Sequence, residues 1–104
     1  MAVDAPLTIW LAPLTIWLAP LHGVTNRIFR QAYWKHFPGF DAAMAPFILS
    51  AKVTGVAETH FKDVLPEGNV GTPIIPQILG NYVDGFVSTA AVLADLGYGE
   101  VNWN

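Results

Sequence analysis

The stretch APLTIWLAPLTIWLAPLHGVTNR, residues 5–27, decides how this chain is read. The block APLTIWL fills 5–11 and recurs letter for letter at 12–18; a third copy starts at Ala19-Pro20-Leu21 and departs into His22-Gly23-Val24-Thr25. Residues 5–21 carry no charge, and their length is about the minimum for a membrane span. Pro6, Pro13 and Pro20 argue against one. An interior proline costs a helix about 3 kcal/mol, and it removes a donor that lipid cannot replace. Only Asp4 precedes the stretch closely, so it lacks the basic flank of a signal segment. A proline in every heptad also excludes a coiled coil.

A strand fits better. Leu-Thr-Ile-Trp-Leu is rich in strand formers and bounded by Ala-Pro. Its nearly continuous apolar run suggests a strand covered on both faces, as in a parallel sheet. Residues 14–18 are expected as the working first strand, because they run directly into the Gly23–Thr25 turn. Residues 7–11 are then a surplus copy. A single exact repeat of seven looks like a tandem duplication, since solenoid units are longer and more numerous.

Working outward, the 104 residues make one domain. They are 53% hydrophobic and 12% charged, which suits a packed core and not a disordered chain. The net charge is −3 and no basic block occurs, so there is no footprint for nucleic acid or an anionic membrane surface. There are no cysteines, which excludes disulfides, thiolate zinc sites and a Cys nucleophile within these residues and permits a cytoplasmic location.

Thr25 is expected to cap a helix with Ile28, Phe29, Ala32 and Tyr33 on one face, stopped by Phe37-Pro38-Gly39. Residues 40–49 read as a second strand interrupted at Pro46. A short helix falls within 50–59, and a loop over 66–71. Residues 72–79 read as a third strand with Ile75, Gln77 and Leu79 on one face. Asn81 is a candidate cap for a helix over about 83–96, with Val83, Phe86, Val87, Ala90 and Leu93 as its apolar stripe and Gly97 closing it. Residues 100–104 begin a fourth strand, Val101 and Trp103 facing one way, Asn102 and Asn104 the other. Alternating strands and helices argue for parallel βα units. The expected fold is α/β: the N-terminal half, about four βα units, of a (β/α)8 barrel, or a small open α/β sheet. Residues 1–13 are an extension carrying the duplicated strand, and 14–104 the partial barrel, which stops in mid-strand as a fragment would.

Three segments, LAPLHGVTNRIFRQ (18–31), IPQILGN (75–81) and LGYGEVNWN (96–104), fall at the C-terminal ends of these strands. Together they resemble the tRNA-dihydrouridine synthase family, over 14–104. The resemblance implies a (β/α)8 barrel that holds FMN and uses NADPH to reduce a uridine in tRNA. Ala19-Pro20-Leu21-His22-Gly23-Val24-Thr25 matches the family's Ala-Pro-Met-x-Gly-Val-Thr opening, with Leu21 in the Met place. Gln77 matches a flavin-binding Gln, and Asn102 and Asn104 match an Asn-x-Asn strand. Pro20, Leu21, His22, Gln77 and Asn104 are therefore the implied cofactor-binding residues. No catalytic residue is implied here: the family's proton-donating Cys would follow Asn104, and its later Lys and His, phosphate loops and tRNA-binding domain lie outside the match. Ala45-Pro46 stands where many members have Thr-Glu. This chain alone is expected to be inactive and not to engage tRNA. The alternatives are a half-barrel that associates with itself through open strand edges, or part of another FMN barrel, such as a dihydroorotate-dehydrogenase-like enzyme. His22, His36 and His60 show no metal spacing, and the aspartates form no carboxylate pair.

Overall fold

The structure is a computed structural model that describes residues 14–50 and 58–104. The first heptad copy and most of the helix expected within 50–59 lie outside the described residues. The elements are β1 (Trp17–Leu18), α1 (Arg27–His36), β2 (Ala42–Met44), β3 (Ile48–Leu49), 3₁₀ helices at Glu58–Val64 and Pro66–Gly68, β4 (Ile74–Ile75), β5 (Gln77–Leu79), α2 (Val83–Asp95) and β6 (Asn102–Trp103). The protein is mixed α/β. Its two three-stranded sheets, β1-β2-β4 and β3-β5-β6, are wholly parallel and open. Among the described residues no helix is long and apolar enough to cross a membrane.

Two prolines explain why there are two sheets. The third strand, expected to run unbroken over 72–79, stops at Pro76, and the second stops at Pro46 as expected. Neither residue has an N–H to give a ladder. The register slips between them: Met44 pairs with Ile75, whereas Ile48 pairs with Ile78. Four steps on one strand thus face three on the other, so residues 45–47 hold one extra residue, a bulge centred on Pro46. With β2 and β3 taken as one pass of the chain, and β4 and β5 as another, four passes lie side by side in chain order. The first strand is shorter than the expected 14–18, and the 66–71 loop is partly 3₁₀ helix.

The caps differ from expectation. Asn26 caps α1, its side chain accepting from the Phe29 N–H at 3.0 Å. Thr25 closes the preceding turn instead: its hydroxyl accepts from the Leu21 N–H at 2.8 Å and donates to the Leu21 carbonyl at 3.2 Å. Tyr82, not Asn81, stands at the start of α2, without a side-chain cap. At its other end Gly97, at φ +103°, donates to the Ala94 carbonyl and Tyr98 to the Leu93 carbonyl, the paired bonds of a Schellman ending.

Both helices bury a face rotated from the hydropathy stripe. On α2, Gly85, Thr89 and Leu93 are buried while Val83 and Val87 are 61% and 57% exposed. Small residues let the helix approach the sheet, and the buried Thr89 hydroxyl donates to the Gly85 carbonyl at 2.8 Å. On α1, Ile28 is 69% exposed and the one buried residue is Arg30. Tyr33 and Trp34 pack instead on Phe40, at ring separations of 5.5 and 4.6 Å. The core lies between the sheet and α2, where Ala45, Ile48, Phe61, Val64, Ile78 and Leu93 cluster, with Phe86, Leu96 and Tyr98 against them. Each large side chain fully buried there contributes about 1.5–3 kcal/mol.

Candidate functional site

Strand alternation separates two faces of the sheet. Ile78 belongs to the core cluster with Leu93 of α2, and Trp103 stacks on Phe86 of α2 at 4.3 Å. Gln77 and Asn102, each one residue earlier, point to the opposite face. They are register partners on β5 and β6, so their side chains meet: Gln77 Nε2 donates to Asn102 Oδ1 at 3.0 Å. The same amide nitrogen lies 3.5 Å from the Met44 sulfur. Gln77 is buried and Asn102 half-buried. Among the described residues, Gln77 Oε1 and Asn102 Nδ2 make no hydrogen bond. The pair therefore offers one acceptor and one donor side by side on the face away from α2. Among the described residues the fully buried side-chain atom without a partner is Arg30 Nε, so these two atoms carry no buried-unsatisfied cost and stay open to water or to a polar occupant.

The other implied residues are spread around this pair. Pro20, Leu21 and His22 follow β1 in the turn closed by Thr25. Leu21 is 61% exposed. His22 stacks on Phe47, within the bulged segment, with ring centroids 5.0 Å apart. That ring pair borders a depression with Asn26, Pro46, Asp63 and Val64. Asn104 is held by its backbone, which donates to the Ile78 carbonyl at 2.9 Å and accepts from the Gly80 N–H at 3.3 Å. Its exposed side chain borders a second depression, with Leu79, Gly80, Asn81 and Trp103. The Trp103 indole N–H is fixed by the Gly80 carbonyl at 2.7 Å. The structure thus brings Gln77 and Asn102 together and places Asn104 on the neighbouring rim, while His22 sits in a separate depression.

Sequence reasoning missed the most polar cluster. Arg30 is fully buried, and its guanidinium donates to the Asp63 carboxylate at 2.6 Å, to the Thr25 and Asp63 carbonyls at 2.8 and 2.7 Å, and to Asn69 Oδ1 at 2.9 Å. Asp63 also accepts from the Arg27 N–H at 2.7 Å, at the first turn of α1. The Asn69 amide returns bonds to the Asp63 and Leu65 carbonyls. Nearby, the Tyr98 hydroxyl donates to the Val64 carbonyl. Burial is the main influence raising the Tyr98 pKa, opposed by the positive Arg30 and helped by Asp63 and Glu67. The partners of Arg30 lie 33 and 39 residues away, and no local spacing announces them. Among the described residues every donor in this network except Arg30 Nε is satisfied by the protein, and the network ties α1 to the 58–69 segment.

Compared with models of protein families, with curated proteins and with solved structures, the chain finds no match.

Proposed function

We propose that the face carrying Met44, Gln77 and Asn102 is the floor of a flavin site, and that the four parallel passes are the first strands of a (β/α)8 barrel similar to the tRNA-dihydrouridine synthases. The observation that carries this is the Gln77–Asn102 pair, with its free acceptor and free donor side by side on the sheet face away from α2. A flavin pyrimidine edge has the alternating donors and acceptors to answer both. Gln77 and Asn102 orient that edge, Asn104 borders it, and Pro20, Leu21 and His22 shape the end of the first strand. FMN, when bound, supplies hydride chemistry, with NADPH as its source of electrons and a uracil ring of tRNA as acceptor. No Cys is available among these residues to protonate the product, so turnover by this chain alone is not expected. FMN titration followed by fluorescence quenching tests the reading, with Gln77→Ala as control. Saturable binding lost in the variant supports it. No binding by a chain with a folded circular dichroism spectrum overturns it.

One observation favours a second reading, a self-associating module. Leu14 and Ile16, which lead into the outer strand β1, and Trp17 within it are 72%, 46% and 48% exposed. Light scattering at about 100 μM distinguishes the two, since a clean monomer removes this alternative.

A further inference from the structure

The slot that holds β1 recognises very little, and all of it occurs twice in the sequence. Ile16 donates its N–H to the Asp41 carboxylate at 2.7 Å and accepts from the Asp41 N–H at 2.7 Å. Trp17 and Leu18 then pair with Ala42 and Ala43. The Asp41 carboxylate and the Asp41–Ala43 backbone thus hold the strand. Ile9-Trp10-Leu11 is identical to Ile16-Trp17-Leu18, and the residues flanking both copies agree from Ala5 to Leu11 and from Ala12 to Leu18. We infer that the slot has two interchangeable occupants, and that the chain can shift β1 by seven residues without losing a single edge interaction. The inference does not depend on the flavin reading.

Loop closure sets the balance between the two registers. Leu21 is pinned by three bonds from Val24 and Thr25 and by its own N–H to Thr25. In the observed register two residues, Ala19 and Pro20, join Leu18 to that anchor; in the shifted register nine residues, 12–20, join Leu11 to it. Closure probability falls with about the three-halves power of loop length, so the shifted register is disfavoured by only about tenfold. Asp41 and the two alanines form a slot with a built-in spare: damage to the downstream heptad is absorbed by the upstream one.

A double-mutant cycle on Ile9→Pro and Ile16→Pro tests this, with the folding equilibrium constant read from urea denaturation. Proline at either position removes the N–H that Asp41 accepts. Ile16→Pro is expected to lower the constant about tenfold, Ile9→Pro to change it less than twofold, and the double variant to lower it at least a hundredfold. Additive effects, or a single Ile16→Pro loss as large as that of the double variant, overturn the inference. Fluorine NMR with 5-fluorotryptophan gives a direct reading. In Ile16→Pro, the Trp10 resonance is expected to move to the shift Trp17 shows in the parent chain; an unmoved Trp10 overturns it. A rescue that fades on dilution would place a second chain's heptad in the slot and overturn exchange within one chain.

Discussion

Replacing Asp63 with alanine removes the only carboxylate that faces the buried Arg30 guanidinium among the described residues. Two interactions go at once. The charge-assisted bond to Arg30 contributes about 1.5–3 kcal/mol, and the acceptor for the Arg27 N–H at the start of α1 contributes about 1 kcal/mol, as a helix cap does. Arg30 keeps its bonds to the Thr25 carbonyl, the carbonyl of residue 63 and Asn69 Oδ1, but its charge stays buried at 0% exposure with no carboxylate to balance it. Removing one partner of a fully buried pair costs about 3–5 kcal/mol. Asp63 itself is 33% exposed, so water replaces part of what is lost, and about 3 kcal/mol is the expected cost. For a domain of this size that lowers Tm by roughly 12–24 °C. Urea denaturation followed by circular dichroism measures it, with the denaturant slope as a check that the unfolded state has not changed. Asp63→Asn keeps the acceptor for Arg27 and loses the charge, so about half the cost is expected. Pairing Asp63→Leu with Arg30→Met should recover part of the loss, because an apolar pair needs no balancing charge. A loss under about 0.5 kcal/mol in Asp63→Ala would place the pair among ordinary surface bridges and refute the reasoning.

Two further outcomes follow from single contacts. Tyr98 has a raised pKa because burial disfavours its charged form, and the neutral hydroxyl is the one that donates to the Val64 carbonyl. Its contribution is therefore whole below the ordinary tyrosine range near pH ~10 and lost as pH rises through the folded value; Tyr98→Phe should cost about 1 kcal/mol at pH ~7 and flatten the alkaline limb of a stability profile, and an unchanged limb would exclude Tyr98 as its source. At Gly80, an added Cβ would stand 2.0 Å from the Ser50 hydroxyl, which holds the Leu79 carbonyl at 3.2 Å. Gly80→Ala should cost about 1–3 kcal/mol, most of it absent in a Ser50→Ala background where the nearest remaining side-chain atom is 3.4 Å away; equal costs in both backgrounds would locate the strain elsewhere.

The order of elements was legible because it rests on local chemistry. Pro46 marked its own break, Gly97 its helix ending, and the alternation of strand and helix signals implied parallel pairing. Gln77 and Asn102 were each legible as strand residues, but their pairing needed the register that the structure supplies. The misreadings share a cause. Hydropathy ranked Val83 and Val87 above Gly85 and Thr89, but close approach of helix to sheet favours the small residues, and Thr89 satisfies its own hydroxyl. Pro76 was passed over because the strand formers around it outweighed it, although its missing N–H was decisive. Thr25 and Asn26 are both competent caps, and the choice turned on a bond from Thr25 back to Leu21 that spacing alone does not assign.

Taken by itself, the sequence determined the parallel α/β architecture and the strand-to-helix turn after the second heptad. Each follows from propensity, period and the donors a residue possesses, which belong to the chain before it folds. Tertiary structure alone decided that Arg30 is buried, that Asp63 and Asn69 surround it, and that the sheet divides at a bulge. Those outcomes depend on which distant segments meet, and a buried charge is tolerated only where its partners converge from 33 and 39 residues away.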